Sequence, residues 1–385
     1  MLFKRFAAFI HLWGGLLIGS LIVVISITGC ITVFSEELFA IFHKELVSVK
    51  SAGKPPLSLS VLTEKAAAVL PEGNKISKIE IPAGEKSYVF IAQEAKKKAK
   101  GLTYFDQVKY FKKVYVNPYT GAVLGQLDMK YEFFNMVLQL HRYLLLKKDI
   151  GSLITGITVL IFLLMLISGV VIWLPKKFKN VSKKLKIDFK GKFKKLNHQL
   201  HTVLGMYVLP VALVIVFTGL SWSFKWWESG MLKAMGGNKR VLLANVQPTP
   251  AAVPLHGAAL DQAFFALQQH ASGNYEMIGF TIPAETKKSA SGYITMHDSG
   301  DAWLGMSYFS IDHNSGAIFD QIIHKDKGTA MKWRNSNEAI HTGKIYGWPT
   351  QALAFFASLI CATLPVSGFL IWLRKRKKQK VRVST

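Results

Sequence analysis

Cysteine is nearly missing from this chain: Cys30 and Cys361 are the only two in 385 residues, and they lie in different apolar stretches. That excludes a disulfide framework, a CxxC redox pair and a cysteine-built zinc or iron–sulfur site. No GxGxxG fingerprint and no GxxxxGK[ST] loop occurs, so nothing visible would cradle a nicotinamide, a flavin or ATP. Acids are scarce as well, with 23 Asp and Glu against 48 Lys and Arg and a net charge of +25. Such an excess is met in nucleic-acid binders and in membrane proteins, and its distribution decides between them. What the chain has in quantity is apolar surface, 50% of residues being hydrophobic, together with eleven histidines.

Four apolar stretches reach the ~20 residues that a helix needs to cross a bilayer. They divide the chain into a first helix within 1–34, an external segment 35–149, a second helix 150–174, a basic loop 175–200, a third helix 201–224, an external segment 225–347, a fourth helix 348–373 and a basic tail 374–385. Lys4 and Arg5, the loop from Lys176 to Lys195 and the tail from Arg374 to Arg382 together hold +18, while the two long segments share only +7. Basic residues crowd the cytoplasmic ends of membrane helices, so both termini are expected inside and the long segments outside, in a bacterial inner membrane. The basic loop and tail are then topology signals that also attract anionic lipid, and no nucleic acid is implied. Ile27-Thr28-Gly29-Cys30 has the look of a lipoprotein cleavage box, but the apolar run before it exceeds the ~7–15 residues of a signal segment.

A stronger argument for keeping that helix is that it has a copy. His11, Gly15 and Thr28-Gly29 match His201, Gly205 and Thr218-Gly219 at a shift of 190 residues. Asn117-Pro118-Tyr119-Thr120-Gly121 matches Asp312-His313-Asn314-Ser315-Gly316 at 195, His141 matches His341 at 200, and Ser168-Gly169 matches Ser367-Gly368 at 199. The pattern reads as an internal duplication of helix, external domain, helix. Each external segment reads as α+β: a helix near 61–70, then strands at 76–81, 87–92 and 104–116, and in the second copy a helix near 260–270 with strands near 277–282, 292–296 and 306–311. The NPYTG and HNSG stretches carry turn chemistry between strands.

These marks resemble the PepSY-associated transmembrane helix family. The carriers are His11-Leu12-Trp13-Gly14-Gly15, Leu140-His141-Arg142-Tyr143-Leu144, His201-Thr202-Val203-Leu204-Gly205 and Ile340-His341-Thr342-Gly343, with four Ser/Thr-Gly pairs, over nearly the whole chain. The resemblance implies a four-helix membrane bundle with two extracytoplasmic PepSY-like α+β domains. It also implies similarity to iron-regulated inner-membrane proteins, some of which reduce ferric siderophores or other iron chelates with two b-type haems. His313 stands where the first copy has Pro118, so the two external segments need not act alike.

Ionisable side chains at membrane depth are costly and usually face a bundle interior with a purpose, and neutral imidazole is a standard axial ligand of haem iron. The duplication pairs His11 with His201 near the inner face and His141 with His341 near the outer face, the arrangement two stacked haems require. Taken singly each reads better as an interfacial residue with no ligand; four at symmetric positions reverse that in favour of the ligand reading. The 17 residues from His11 to Thr28, or from His201 to Thr218, span ~25 Å, which puts the first pair near the inner boundary. The 27 residues from His141 to Ser168 span ~40 Å if the helix is continuous, which would set His141 just outside the hydrocarbon. His198, three residues before His201 and so on nearly the same face, competes as the inner ligand or supports it. The Ser/Thr-Gly pairs read as small residues for close helix approach, with the hydroxyl on a backbone carbonyl and room for a flat macrocycle as a second role.

His43, His256, His270, His297, His313 and His324 lack metal-ligand spacing and read as surface or turn residues; Asp298, Asp301, Asp312, Asp320 and Asp326 read as a solvated acidic loop. The leading function is transfer of electrons, from a cytoplasmic donor or from quinol, to an external ferric chelate. The alternative is a haem-free membrane protein whose external domains bind or regulate a peptidase or sense the envelope. A chelate transporter is disfavoured by the lack of Gly/Pro-broken half-helices.

Overall fold

The computed structural model describes residues 2–96, 99–175, 177–237, 240–271 and 273–383; Lys176, at the start of the basic loop, and the last two residues of the basic tail lie outside these. The chain forms two compact units, one from Met1–Ser35, Val137–Glu228 and Glu338–Thr385, the other from Glu36–Met136 and Ser229–Asn337.

The first unit holds four helices long and apolar enough to cross a membrane: Leu2–Val33, Lys148–Trp173, Phe193–Ser223 and Trp348–Arg376. They are called the first to fourth spans below. Long runs of Leu, Ile, Val and Phe with hardly a charge leave helix as the conformation that satisfies every backbone group internally when water is absent. The first span packs on the second and the fourth, and so does the third, so the first and third stand diagonally across a four-helix bundle. Ile18, Ile22, Phe162, Leu166, Val208, Ala212, Val216 and Cys361 fill its interior, while Leu17, Leu164, Val214 and Phe356 face outward. Apolar side chains on both faces are what a lipid-embedded helix shows. The third span is interrupted by a π-helical turn at Leu200–Leu204.

The second unit is an eight-stranded antiparallel sheet in the order β4-β3-β2-β1-β5-β6-β7-β8. The strands are β1 (Ile76–Pro82), β2 (Tyr88–Ala95), β3 (Val108–Val116), β4 (Val123–Asp128), β5 (Met277–Thr281), β6 (Ala290–Met296), β7 (Gly305–Ile311) and β8 (Ile318–Ile322). Two segments expected as separate small domains thus share one sheet, because β1 pairs with β5 across Lys78↔Thr281 to Pro82↔Met277. That pairing covers two strand edges that would otherwise be left open. Helices Leu59–Ala68 and Gly257–Ala271 lie on one face, burying Leu62, Ala66, Leu260 and Leu267 against Ile79, Phe90, Ile278, Phe280 and Phe309. Ser60 donates through both backbone and hydroxyl to Asp261, tying the helices together at 2.8 and 2.5 Å.

The sequence reading needs correcting here in three places. Tyr104–Gln107 is a helical turn, held by a capping box between Thr103 and Asp106, and the strand begins only at Val108. Each half carries a fourth strand, β4 or β8, after its Asn117 or Asp312 turn. His313 and His324 are buried, at 2% and 3% exposure. His313 accepts from Leu255 N and donates to Lys288 O, both at 2.7 Å, so it joins two loops. His324 meets Asp301, whose carboxyl is held well below its ordinary range chiefly by the Lys332 ammonium at 2.6 Å. Asp312, also expected in solvent, is 6% exposed and caps its own turn through Asn314 N and Ser315 N.

Candidate functional site

Four of the eleven histidines come together as two pairs inside the bundle unit. The His11 and His201 rings have centroids 6.2 Å apart at an interplanar angle of 86°. The His141 and His341 rings are also 6.2 Å apart, at 63°. These are the two pairings expected from the repeat register: the first joins the diagonal first and third spans, the second the short helices Phe133–Tyr143 and Thr329–Thr342.

Each ring is seated the same way, on a Ser/Thr-Gly pair of a neighbouring span. His11 Nδ1 lies 3.0 Å from Met165 O and 3.2 Å from Ser168 Oγ. His141 Nδ1 lies 2.9 Å from Ile25 O and 3.2 Å from Thr28 Oγ1. His201 Nδ1 meets Ser367 Oγ at 2.9 Å and the Leu364 carbonyl, and His341 Nδ1 meets Thr218 Oγ1 at 2.9 Å and the Ile215 carbonyl. The carbonyl is always that of the residue three before the Ser or Thr, and the hydroxyl donates to that same carbonyl. Because a carbonyl oxygen only accepts, the ring proton belongs on Nδ1, and Nε2 keeps its lone pair free. The glycine does the rest: a Cβ on Gly169, Gly29, Gly368 or Gly219 would stand 3.2 Å from Cε1 of the seated ring. Only a residue without a side chain lets the imidazole lie flush on the span.

The hydroxyl-to-carbonyl bond of the Ser/Thr-Gly pairs was thus legible in sequence, but their use as histidine seats was not. The signal was partial: Thr28 and Thr218 each stand 17 residues after His11 and His201, and Ser168 and Ser367 stand 27 and 26 after His141 and His341, but in every case the pair that follows a histidine is not the one it sits on. The seats also correct the depth of His141. Its helix, Phe133–Tyr143, does not continue into the second span; it ends in a turn where Leu144 and Leu145 take positive φ of 54° and 56°. His141 therefore reaches Ile25 and Thr28 within the first span rather than standing beyond its end. His341 is followed by a comparable reversal at Gly343, φ 80°. Along the first span, His11 and the Ile25–Thr28 seat of His141 are separated by ~21–25 Å of helix.

His198 takes no part. It is exposed, whereas His201 faces His11 and Asn197 turns inward to donate to Ser367 O at 3.1 Å. A π turn runs from Leu200 to Leu204, and where it begins His201 faces inward while His198 stays exposed. Sequence reasoning also passed over Trp222 and Arg142. Trp222 stacks edge-on against His341 at 5.1 Å, and the Arg142 guanidinium lies over Trp222 at 5.8 Å and over Tyr143 at 5.2 Å. The His141–His341 pair thus has a cation and an indole beside it.

Chemically, each pair offers two neutral imidazole nitrogens and little else. With metal–nitrogen bonds of ~2.0–2.1 Å, two imidazoles sharing one ion end-on have ring centroids roughly 6.3 Å apart, close to the separation found. Among the described residues no group of three or more His, Cys, Asp or Glu is placed to hold a metal ion. A tetrahedral zinc site wants three or four protein ligands, so the pairs do not suit it. They suit an iron that brings its own equatorial nitrogens and asks the protein for axial ligands alone.

A search of curated proteins finds no match to the chain. The family described as the PepSY-associated TM region matches residues 8–375, which takes in all four spans and both strand-bearing segments. This multi-pass membrane protein therefore belongs to the PepSY-associated TM family.

Proposed function

We propose that the chain is a di-haem electron carrier of the bacterial inner membrane that reduces a ferric chelate, such as a siderophore, on the outer side. One observation carries the reading: two histidine pairs, stacked along one bundle, each ring held with Nδ1 occupied and Nε2 free. In this reading His11 and His201 hold the inner b-type haem and His141 and His341 the outer one. A bound haem would supply a reversible one-electron couple.

The protein's own residues contribute orientation and insulation. The Met165, Ile25, Leu364 and Ile215 carbonyls fix the tautomer and raise the basicity of each ligand, the usual work of an outer-shell partner. Ile18, Ile22, Phe162, Leu166, Val208, Ala212 and Val216 keep the interior free of water. The substrate step needs one electron and no acid–base catalyst: hard oxygen donors hold Fe(III) far better than Fe(II), so reduction releases the metal. Quinol or a cytoplasmic reductant is the proposed electron source.

The outer segments are read as two PepSY-like domains from one duplicated unit. A helix followed by a four-stranded meander occurs in each, and the strand order mirrors about the β1–β5 seam. The charge pattern supports both termini in the cytoplasm.

Absorption spectroscopy of protein purified from haem-replete cells tests the reading. Two haems per chain are expected, falling to one in His341→Ala, with the inner signal kept. Reduced protein should be reoxidised by a ferric siderophore while a ferrous trap reports the product. A chain without a Soret band would leave the haem-free scaffold as the better account.

A further inference from the structure

The face of the sheet turned away from the two helices differs between its halves. At the centre of the first half, Val89 on β2 sits opposite Tyr115 on β3, and the Tyr115 ring stacks with Phe39 at 6.2 Å. The second half has Ser291 on β6 opposite Ser310 on β7, with Thr281 of β5 opposite Ser291 on its other side. Three small hydroxylated residues therefore form a row across β5, β6 and β7 where the first half has bulk. The volume so released is a cavity of about 400 Å³, roofed by the extended stretch Arg240–Asn245 and walled by Met331 and Asn335. Its size falls within the ~300–1,000 Å³ of small-molecule sites.

The lining is donor-rich and holds no acid. Arg240 and Lys288 are its charged members, and Tyr308 offers a ring on the floor. Lys288 has Glu285 at 3.3 Å, but Arg240 has no carboxylate partner among the described residues. The Thr281 and Ser291 hydroxyls have no side-chain hydrogen bond there, whereas Ser310 donates to Ala244 O at 2.9 Å. Asn335 accepts from Tyr308 Oη at 3.3 Å, and its Nδ2 is buried without a partner among the described residues. The nearby carboxylate of Asp320 is engaged by Ala244 N at 2.7 Å. Ile322, Pro283, Leu242 and Met331 make much of the remaining wall apolar.

We propose that this cavity is a binding site for a small organic carboxylate with a flat apolar body, of single-ring size. The carboxylate meets Arg240 and the free hydroxyls, and the ring lies between Tyr308 and the apolar wall. A bare inorganic anion would leave that wall unfilled, and a neutral ring would leave the guanidinium without a counter-charge, so the combination is selected over either part.

The test is equilibrium dialysis of labelled salicylate against the full chain in lipid nanodiscs, with salicylamide as the neutral counterpart. Saturable salicylate binding is expected, at least tenfold tighter than salicylamide. Arg240→Ala, at an exposed position, should weaken it tenfold or more. The double variant Ser291→Val with Ser310→Tyr copies the residues of the first half and should abolish it; circular dichroism melting reports whether that variant folds. No saturable salicylate binding to the wild-type chain, equal binding of salicylamide, or wild-type affinity in Arg240→Ala or in the folded double variant would overturn the proposal. None of these outcomes depends on haem.

Discussion

An imidazole inside a bilayer has two nitrogens to satisfy, and the Ser/Thr-Gly pairs satisfy one and leave the other for work. The glycine is the more critical half of each pair, because a Cβ there already stands 3.2 Å from the ring and a branched side chain would displace it. On the proposed di-haem reading, Gly219→Val should therefore release the haem of the His141–His341 pair and leave the other, lowering haem content per chain by half, while Gly169→Val should do the reverse. Haemochromogen assay with redox titration separates the two cases. Thr218→Ala keeps the Ile215 carbonyl and should cost far less. Away from the bundle, Lys327 is 7% exposed, donates to Met306 O at 2.6 Å, lies 4.3 Å over the Tyr308 ring, and has its pKa lowered to about 8 by burial. A lysine whose folded pKa is depressed binds its proton more weakly in the fold than in the unfolded chain. The sheet unit should therefore gain stability as pH rises from about 8 toward the unfolded lysine value near 10.5. Lys327→Met should be the more stable form at pH 7, by on the order of 2 kcal/mol, with the difference shrinking by pH 10 in denaturation followed by near-ultraviolet circular dichroism.

At the scale of elements, the outer histidines depend on how their short helices turn into the spans. Leu144 and Leu145 occupy the left-handed region without being glycine, a conformation that costs roughly 1–2 kcal/mol per residue and persists only where the surroundings impose it. The second copy uses Gly343 instead, and a Cβ on Gly343 would run into the Thr350 carbonyl at the start of the fourth span. Gly343→Ala should lower stability by about 2 kcal/mol or more and displace His341. Chemical denaturation would give the loss, and, on the proposed di-haem reading, a changed spectrum for the haem of the His141–His341 pair alone would place it. The same substitution at Gly53 or Gly73, where φ is also positive but nothing lies within 4 Å of an added Cβ, should cost only the backbone part. The comparison separates backbone strain from the clash.

For the whole molecule, the prediction is topological. Cysteines placed at the exposed positions Glu72 and Glu285 should react with an impermeant thiol reagent once the outer membrane is opened, and one at Lys179 should not. The native Cys30 and Cys361 are both buried and give little background. Labelling at Lys179 together with protection of the other two would reverse the orientation and overturn the proposal that the His141–His341 pair serves an external chelate. The spans themselves do not depend on that result, since they rest on length and hydropathy.

The spans, the charge asymmetry and the pairing of His11 with His201 and of His141 with His341 could be read in the residues, because the bilayer permits few backbone solutions and the repeat fixes register. Alternating apolar runs and turn chemistry likewise gave six of the eight strands; the capping box at Thr103 and Asp106 was local too and went unread. Other features came only with the tertiary structure, because each joins residues far apart in the chain. The seating of His11 on Ser168-Gly169 crosses 157 residues and the β1–β5 seam about 200, so no local pattern announces either. His201 was favoured over His198 by its copy at His11, but the π turn at Leu200–Leu204 was not legible, since its hydrogen bonds differ from a regular helix by one residue and leave the hydropathy pattern unchanged. The cavity beside Ser291 and Ser310 is small residues in one half where the other has Val89 and Tyr115, and small residues become empty space only when their neighbours are in place.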